Sequence, residues 1–162
     1  MAKNPRSRRR WAPAVALAVL AQAVCVSAAP SITVTGSWSQ TIGSASLSAA
    51  AGSDLVGTYT SAADQVLLDL SDPRWRVSVQ RVDAFWHSNL NLYVQRTSNG
   101  STPNGTISGG TAYQSVTTSA QSFFTGTKNF SNIAVQIQLS GVSLQVPPAT
   151  YTTGLTFTIT HI

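Results

Sequence analysis

A chain of 162 residues with a formal charge of +5 holds its whole charge excess in Lys3, Arg6, Arg8, Arg9 and Arg10. From residue 29 onward, Arg74, Arg76, Arg81, Arg96 and Lys128 are matched by Asp54, Asp64, Asp69, Asp72 and Asp83, so this portion is formally neutral. Neutrality excludes nucleic acid as the partner, because counterion release needs clustered Lys and Arg, and the lone cysteine, Cys25, leaves residues 29–162 to be held by packing and strand pairing alone.

Residues 1–28 read as a secretory signal peptide. The basic stretch Lys3 to Arg10 precedes an apolar run from Trp11 to Val26, which ends in the small-residue site Val26-Ser27-Ala28. The run is short for a span of about 20 residues. Val24 stands before Cys25, where a lipoprotein signal has Gly or Ala. Cleavage is expected after Ala28, giving a bacterial secreted or cell-surface protein with no membrane span, whose residues 29–162 form a single domain.

That domain has no Glu and is rich in Ser and Thr, a composition that favours strands and turns over helices. In chain order, Ile32, Val34, Gly36 and Trp38 share one face of a segment from Ser31 to Ile42. Ser44 to Ser53 is rich in Ala and Ser but shows no apolar stripe at helical spacing. Val66, Leu68 and Leu70 make a short alternating run. Trp75, Val77 and Val79 alternate with Arg74, Arg76, Ser78 and Gln80, which puts Trp75 in the core. Leu90, Leu92 and Val94 alternate with Asn91, Tyr93, Gln95 and Arg96, the last four placed on the wet side. Thr97 to Thr111 is a turn region containing Asn99-Gly100, Asn104-Gly105 and Gly109-Gly110.

The clearest strand runs from Asn132 to Ser140, with Ile133, Val135, Ile137 and Leu139 on one face. Ser140-Gly141 offers a tight turn. Val142, Leu144 and Val146 then resume the alternation until Pro147-Pro148 stops it. The last run puts Tyr151, Leu155, Phe157 and Ile159 on a core face, with Thr156, Thr158 and Thr160 opposite. The pattern predicts an all-β fold of about seven to nine strands in two antiparallel sheets packed face to face, an immunoglobulin-like sandwich.

Little chemistry is on offer. A relay assembled from Ser88, His87 and Asp83 fails because adjacent residues on a strand point to opposite faces. His161, next to last, is expected to fray or face solvent. Asp69 and Asp72 could share a calcium ion through oxygen ligands, but Asp72-Pro73 more simply caps a turn. Arg76 and Arg81 read as surface partners of Asp69 and Asp83. No catalytic residue, cofactor or metal site is expected, and the chain does not read as an enzyme. Trp86, Tyr93 and Tyr113, with Asn and Gln around them, are the candidate ligand-facing aromatics of a carbohydrate-binding or adhesive module.

The ends of the domain stand out. Soluble β proteins guard their edges with Lys, Pro, bulges or inward charge, yet Ser31 to Ile42 and Thr150 to Thr160 carry no charge. Either could receive or supply a strand in pairing with another copy. The segment Pro147-Pro148-Ala149-Thr150-Tyr151-Thr152-Thr153-Gly154-Leu155-Thr156-Phe157-Thr158-Ile159-Thr160 resembles the C-terminal strand of chaperone–usher type pilins and the related spore-coat-U-like secreted proteins, over about a tenth of the chain. The resemblance implies an incomplete immunoglobulin-like sandwich filled by the N-terminal extension of the next subunit. Ile32, Val34, Gly36 and Trp38 are then the donor face, the protein polymerises with copies of itself into fibres or a coat, and a periplasmic chaperone and usher serve as assembly partners. The chain departs from the commoner pilins in having no disulfide. The segment from 31 to 42 reads equally as an ordinary first strand of its own domain.

Overall fold

The computed structural model describes residues 29–162; the expected signal peptide and its cleavage site, residues 1–28, lie outside the described residues. Among these, ten strands form: β1 (Ser31–Thr35), β2 (Thr58–Thr60), β3 (Val66–Ser71), β4 (Arg74–Phe85), β5 (Asn91–Arg96), β6 (Thr106–Gly109), β7 (Gln114–Ser115), β8 (Gln121–Thr127), β9 (Phe130–Ser140) and β10 (Thr152–His161). A single 3-10 turn, Ser44–Ser46, is the one helical element among them, and no described helix is long and apolar enough to cross a membrane.

The strands build two antiparallel sheets. One has the order β1-β3-β9-β5-β7, with β2 also paired to β9; the other has the order β10-β4-β8-β6. Their inner faces supply one core, so the fold is an all-β sandwich, as the alternation predicted. Period-two patterning explains which residues enter it. Val66, Leu68 and Leu70 of β3, Trp75, Val77 and Val79 of β4, and Ile133, Val135 and Ile137 of β9 are all buried. Each such side chain contributes roughly 1.5–3 kcal/mol when removed from water.

Trp75 is the keystone. It is fully buried, meets Phe124 and Phe130 edge-on at 5.8 and 5.7 Å between centroids, and donates its indole N–H to the Lys128 carbonyl at 2.7 Å. Room for its ring comes from Gly126 on β8, where any Cβ would sit 2.5 Å from the indole carbons. A bulge adapts β3 to β9: the register shifts between Leu68 and Leu70, Asn132 takes φ 57°, and the Asp69 carboxylate accepts the Asn132 N–H at 2.7 Å. Asn tolerates this left-handed conformation better than most residues, and the carboxylate satisfies the N–H that the bulge frees from the ladder.

Several expectations need correction. Val142, Leu144 and Val146 do not resume a strand: Ser140–Gly141 is followed by turns, with Val142 buried and Leu144 64% exposed. Alternation over so few residues cannot distinguish a strand from a loop that drops one side chain into the core. Arg96 does not stand on the wet face. Counting by twos from Leu92 and Val94 puts it inside, and it is 5% exposed. His161 faces solvent, as expected, but does not fray: its side chain is 58% exposed, yet its Nδ1 lies 2.8 Å from Oδ1 of buried Asp72, and it pairs with Trp75 as the last residue of β10. The N-terminal strand stops at Thr35 rather than continuing to Ile42.

Candidate functional site

The two uncharged terminal strands lie on one flank of the sandwich, in contact with each other, and each is the outermost strand of its sheet. β10 is the longer. Its register with β4 runs unbroken from Thr153↔Asp83 to His161↔Trp75, and among the described residues no strand pairs with its other side. The Ile162 N–H donates to the Arg74 carbonyl at 3.1 Å. Because hydrogen-bonded positions recur every second residue in an antiparallel ladder, the even-numbered residues Thr160, Thr158 and Thr156 also direct their main-chain groups at β4. The N–H and C=O groups of Leu155, Phe157 and Ile159 therefore face the open edge.

Side chains follow the same parity. Phe157 is buried at 6%, Leu155 and Ile159 are half-buried against the core, and Thr156, Thr158 and Thr160 are exposed on the outer face. Tyr151 lies just before the strand and is half-buried. Beyond the register shift with β4 between Thr152 and Thr153, the edge carries no charge or proline: there is no Lys, Arg, Asp, Glu or Pro from Thr152 to Thr160. The other edges are brief, with five residues in β1, four in β6 and two in β7.

The candidate donor residues occupy the neighbouring edge. Ser31–Thr35 pairs antiparallel with β3 inside the chain, with Ile32 opposite Leu70 and Val34 opposite Leu68. Ile32 is half-buried against the core and Val34 is 43% exposed. Gly36 ends the strand at φ 124°, and the approach of the Gln65 carbonyl leaves no space there for a Cβ; only Gly meets both conditions readily. Gln65 Nε2 then donates to the Ser37 carbonyl, and Trp38 packs on the core outside any strand. Ile32 and Val34 thus share a strand face, while Gly36 and Trp38 belong to the irregular segment that follows.

The candidate ligand-facing aromatics separate. Trp86 is half-buried against the core, donates its indole N–H to the Leu90 carbonyl at 2.9 Å, and lies under the Arg81 guanidinium at 5.4 Å. Tyr93 and Tyr113 stand on the outer face of the other sheet. Tyr93 is opposite Gln138 and Ser115, and Gln95 is opposite Gln136; the Tyr113 hydroxyl donates to Gln136 Oε1 at 2.8 Å. The result is an uncharged field of amides and phenols over β7, β5 and β9. A second aromatic group escaped the sequence reading. Phe85, 57% exposed, stacks on Tyr151 at 5.2 Å with the rings parallel, and His87 meets the same Tyr151 edge-on at 6.0 Å. The corner after β4 brings these residues together, and periodicity does not reach across a corner.

Asp83, His87, Asp72 and Asp54 have structural partners. Asp83 takes the Arg81 guanidinium at 2.8 Å and the Thr153 hydroxyl at 2.8 Å, while His87 Nδ1 accepts the Asn89 N–H at 3.2 Å, so Ser88, His87 and Asp83 form no relay. Asp72 caps its turn by accepting the Arg74 N–H at 2.9 Å. Asp54, fully exposed, is held below its ordinary carboxylate value of 3.8 by the N–H groups of Leu144 and Leu55. Among the described residues no three His, Cys, Asp or Glu gather as metal ligands. The chain matches no protein-family model, no curated protein and no solved structure.

Proposed function

We propose that this chain is a secreted structural subunit, pilin-like and of the immunoglobulin-like sandwich type, that assembles with further copies of itself into extracellular fibres or a surface coat. One observation carries the reading: a ten-residue edge strand, free of charge and proline until its closing His161, has its entire outer row of main-chain groups available. Such an edge readily templates another strand, and strand addition takes affinity from the main chain and register from alternate side chains. The C-terminal resemblance supports the same reading and brings a periplasmic chaperone and usher as its assembly route.

The test is negative-stain electron microscopy of the secreted protein beside a Thr156→Lys/Thr158→Lys variant. Both positions are exposed and face outward, so the fold tolerates the change while the edge gains charge. Ordered assemblies from the parent and dispersed particles from the variant are expected. Dispersed particles from both at high concentration overturn the reading.

A second reading, an adhesive carbohydrate-binding module, has its own support in the Tyr93, Tyr113, Gln95, Gln136 and Gln138 field. Uncharged amides and ring faces suit neutral sugars. Calorimetric titration with a glycan panel is the measurement, and heat that disappears in Tyr113→Ala is the expected signature. Trp86 lies apart from this field, so tryptophan fluorescence is not the probe.

A further inference from the structure

We infer that the strand received at the open edge is β10 of a second copy, running antiparallel, so that the basic unit is a twofold pair. The inference rests on the self-assembly reading and names the partner element.

A strand added to β10 must match three features. It needs comparable length, since the open edge spans ten residues. It must place apolar side chains inward beside Leu155, Phe157 and Ile159. It must bring its own free main-chain groups on the same inward-facing residues, because those residues hold the free groups on this side. β10 meets all three by symmetry. The alternatives within the chain fall short: β1 has five residues, β6 four ending at Gly109, and β7 two. β2, paired only to β9, has three residues, and the remaining strands are flanked on both sides.

Parity fixes the register further. Residues opposite each other in an antiparallel pair lie on the same face, so inward residues must oppose inward ones, and a slip of one residue would turn the apolar set outward. Among the allowed registers, the one with Phe157 at the twofold axis gives nearly full overlap of the two strands. Leu155 then opposes Ile159 of the second copy, and Thr156 opposes Thr158. The Phe157 pair exchanges main-chain hydrogen bonds, and the Thr156–Thr158 positions are non-hydrogen-bonded, where Cα atoms approach to about 4.5 Å. The β10-containing sheet becomes eight strands wide across two copies. A twofold contact uses the same patch on both partners and closes on itself, so fibres or coats grow from pairs and not from single subunits.

Disulfide scanning decides the matter. Cys25 is the only native cysteine, so in a Cys25→Ser background Thr156→Cys and Thr158→Cys are made separately, secreted, purified, mixed and oxidised. Close approach at a non-hydrogen-bonded pair suits disulfide geometry. A mixed disulfide joining the two variants, several-fold in excess of either homodisulfide, is the expected product, together with a dimer mass for the unmodified parent by light scattering. Predominance of the Thr158→Cys homodisulfide would move the axis by one residue and overturn the register. Cross-linking of Thr156→Cys to Val34→Cys in place of any β10–β10 product would overturn this pairing while leaving self-assembly by strand addition intact. Monomeric parent protein with no preferred disulfide would overturn both.

Discussion

Arg96 enters the interior surrounded by neutral oxygens. Its Nε donates to the Gly109 carbonyl at 2.9 Å and its Nη1 to the Ser98 carbonyl at 3.2 Å and to Asn99 Oδ1. The guanidinium lies over Phe124 at 5.9 Å. Burial lowers its pKa below the ordinary arginine value, so the charged form is disfavoured by the fold and is held there by hydrogen bonds from a planar fork. Lysine has no such fork. Arg96→Lys is expected to destabilise the protein by about 2 kcal/mol, read as a lower midpoint in urea. Asp54 is the opposite case. Its depressed carboxyl contributes above its ordinary value and loses that contribution as pH falls through the lowered one. The Leu144 and Leu55 amide resonances should therefore shift together on acidification below 3.8, which a proton–nitrogen NMR titration follows; unchanged amides would show that the carboxylate does not tie these loops.

At the scale of elements, β10 is pinned at its far end. His161 joins buried Asp72, and the Ile162 N–H reaches Arg74. His161→Ala should leave Asp72 with the Arg74 N–H alone and loosen the last turns of the ladder. Faster amide exchange at Thr160 and Ile162, with Thr156 unaffected, is the expected pattern. Gly126 controls the opposite side of β4. Gly126→Val drives a branched side chain into the Trp75 ring, and with a Cβ already 2.5 Å from the indole the loss is expected to reach about 3 kcal/mol, seen in thermal unfolding. A change under half a kilocalorie would mean that the ring can move aside.

For the whole molecule, the proposed self-assembly turns on which terminal strand pairs with a second copy. β1 is engaged with β3 in its own sheet, while β10 keeps a free side. Val34→Ser, at a half-exposed β1 position, is therefore expected to leave assembly unchanged in electron micrographs, whereas a donor role for Ile32 and Val34 requires assembly to fall. The charge distribution agrees with a partner of like kind: beyond residue 28 the formal charge is zero, which removes long-range repulsion between copies.

The sequence by itself determined the all-β character, the burial of Trp75, Val77 and Val79, and the uncharged state of β10, because period-two alternation and the absence of Lys, Glu and Pro are local properties of the chain. Tertiary structure alone decided the rest. It placed Arg96 inside, since a strand carries its parity past the last apolar residue whatever the next side chain is. It turned Val142 to Val146 into a loop, anchored His161 to Asp72 across the fold, and gathered Phe85, His87 and Tyr151 at a corner. The sequence marked both terminal segments as unguarded, but only the fold made them edges: an edge is defined by which neighbour is missing, and neighbours in a sandwich come from distant parts of the chain.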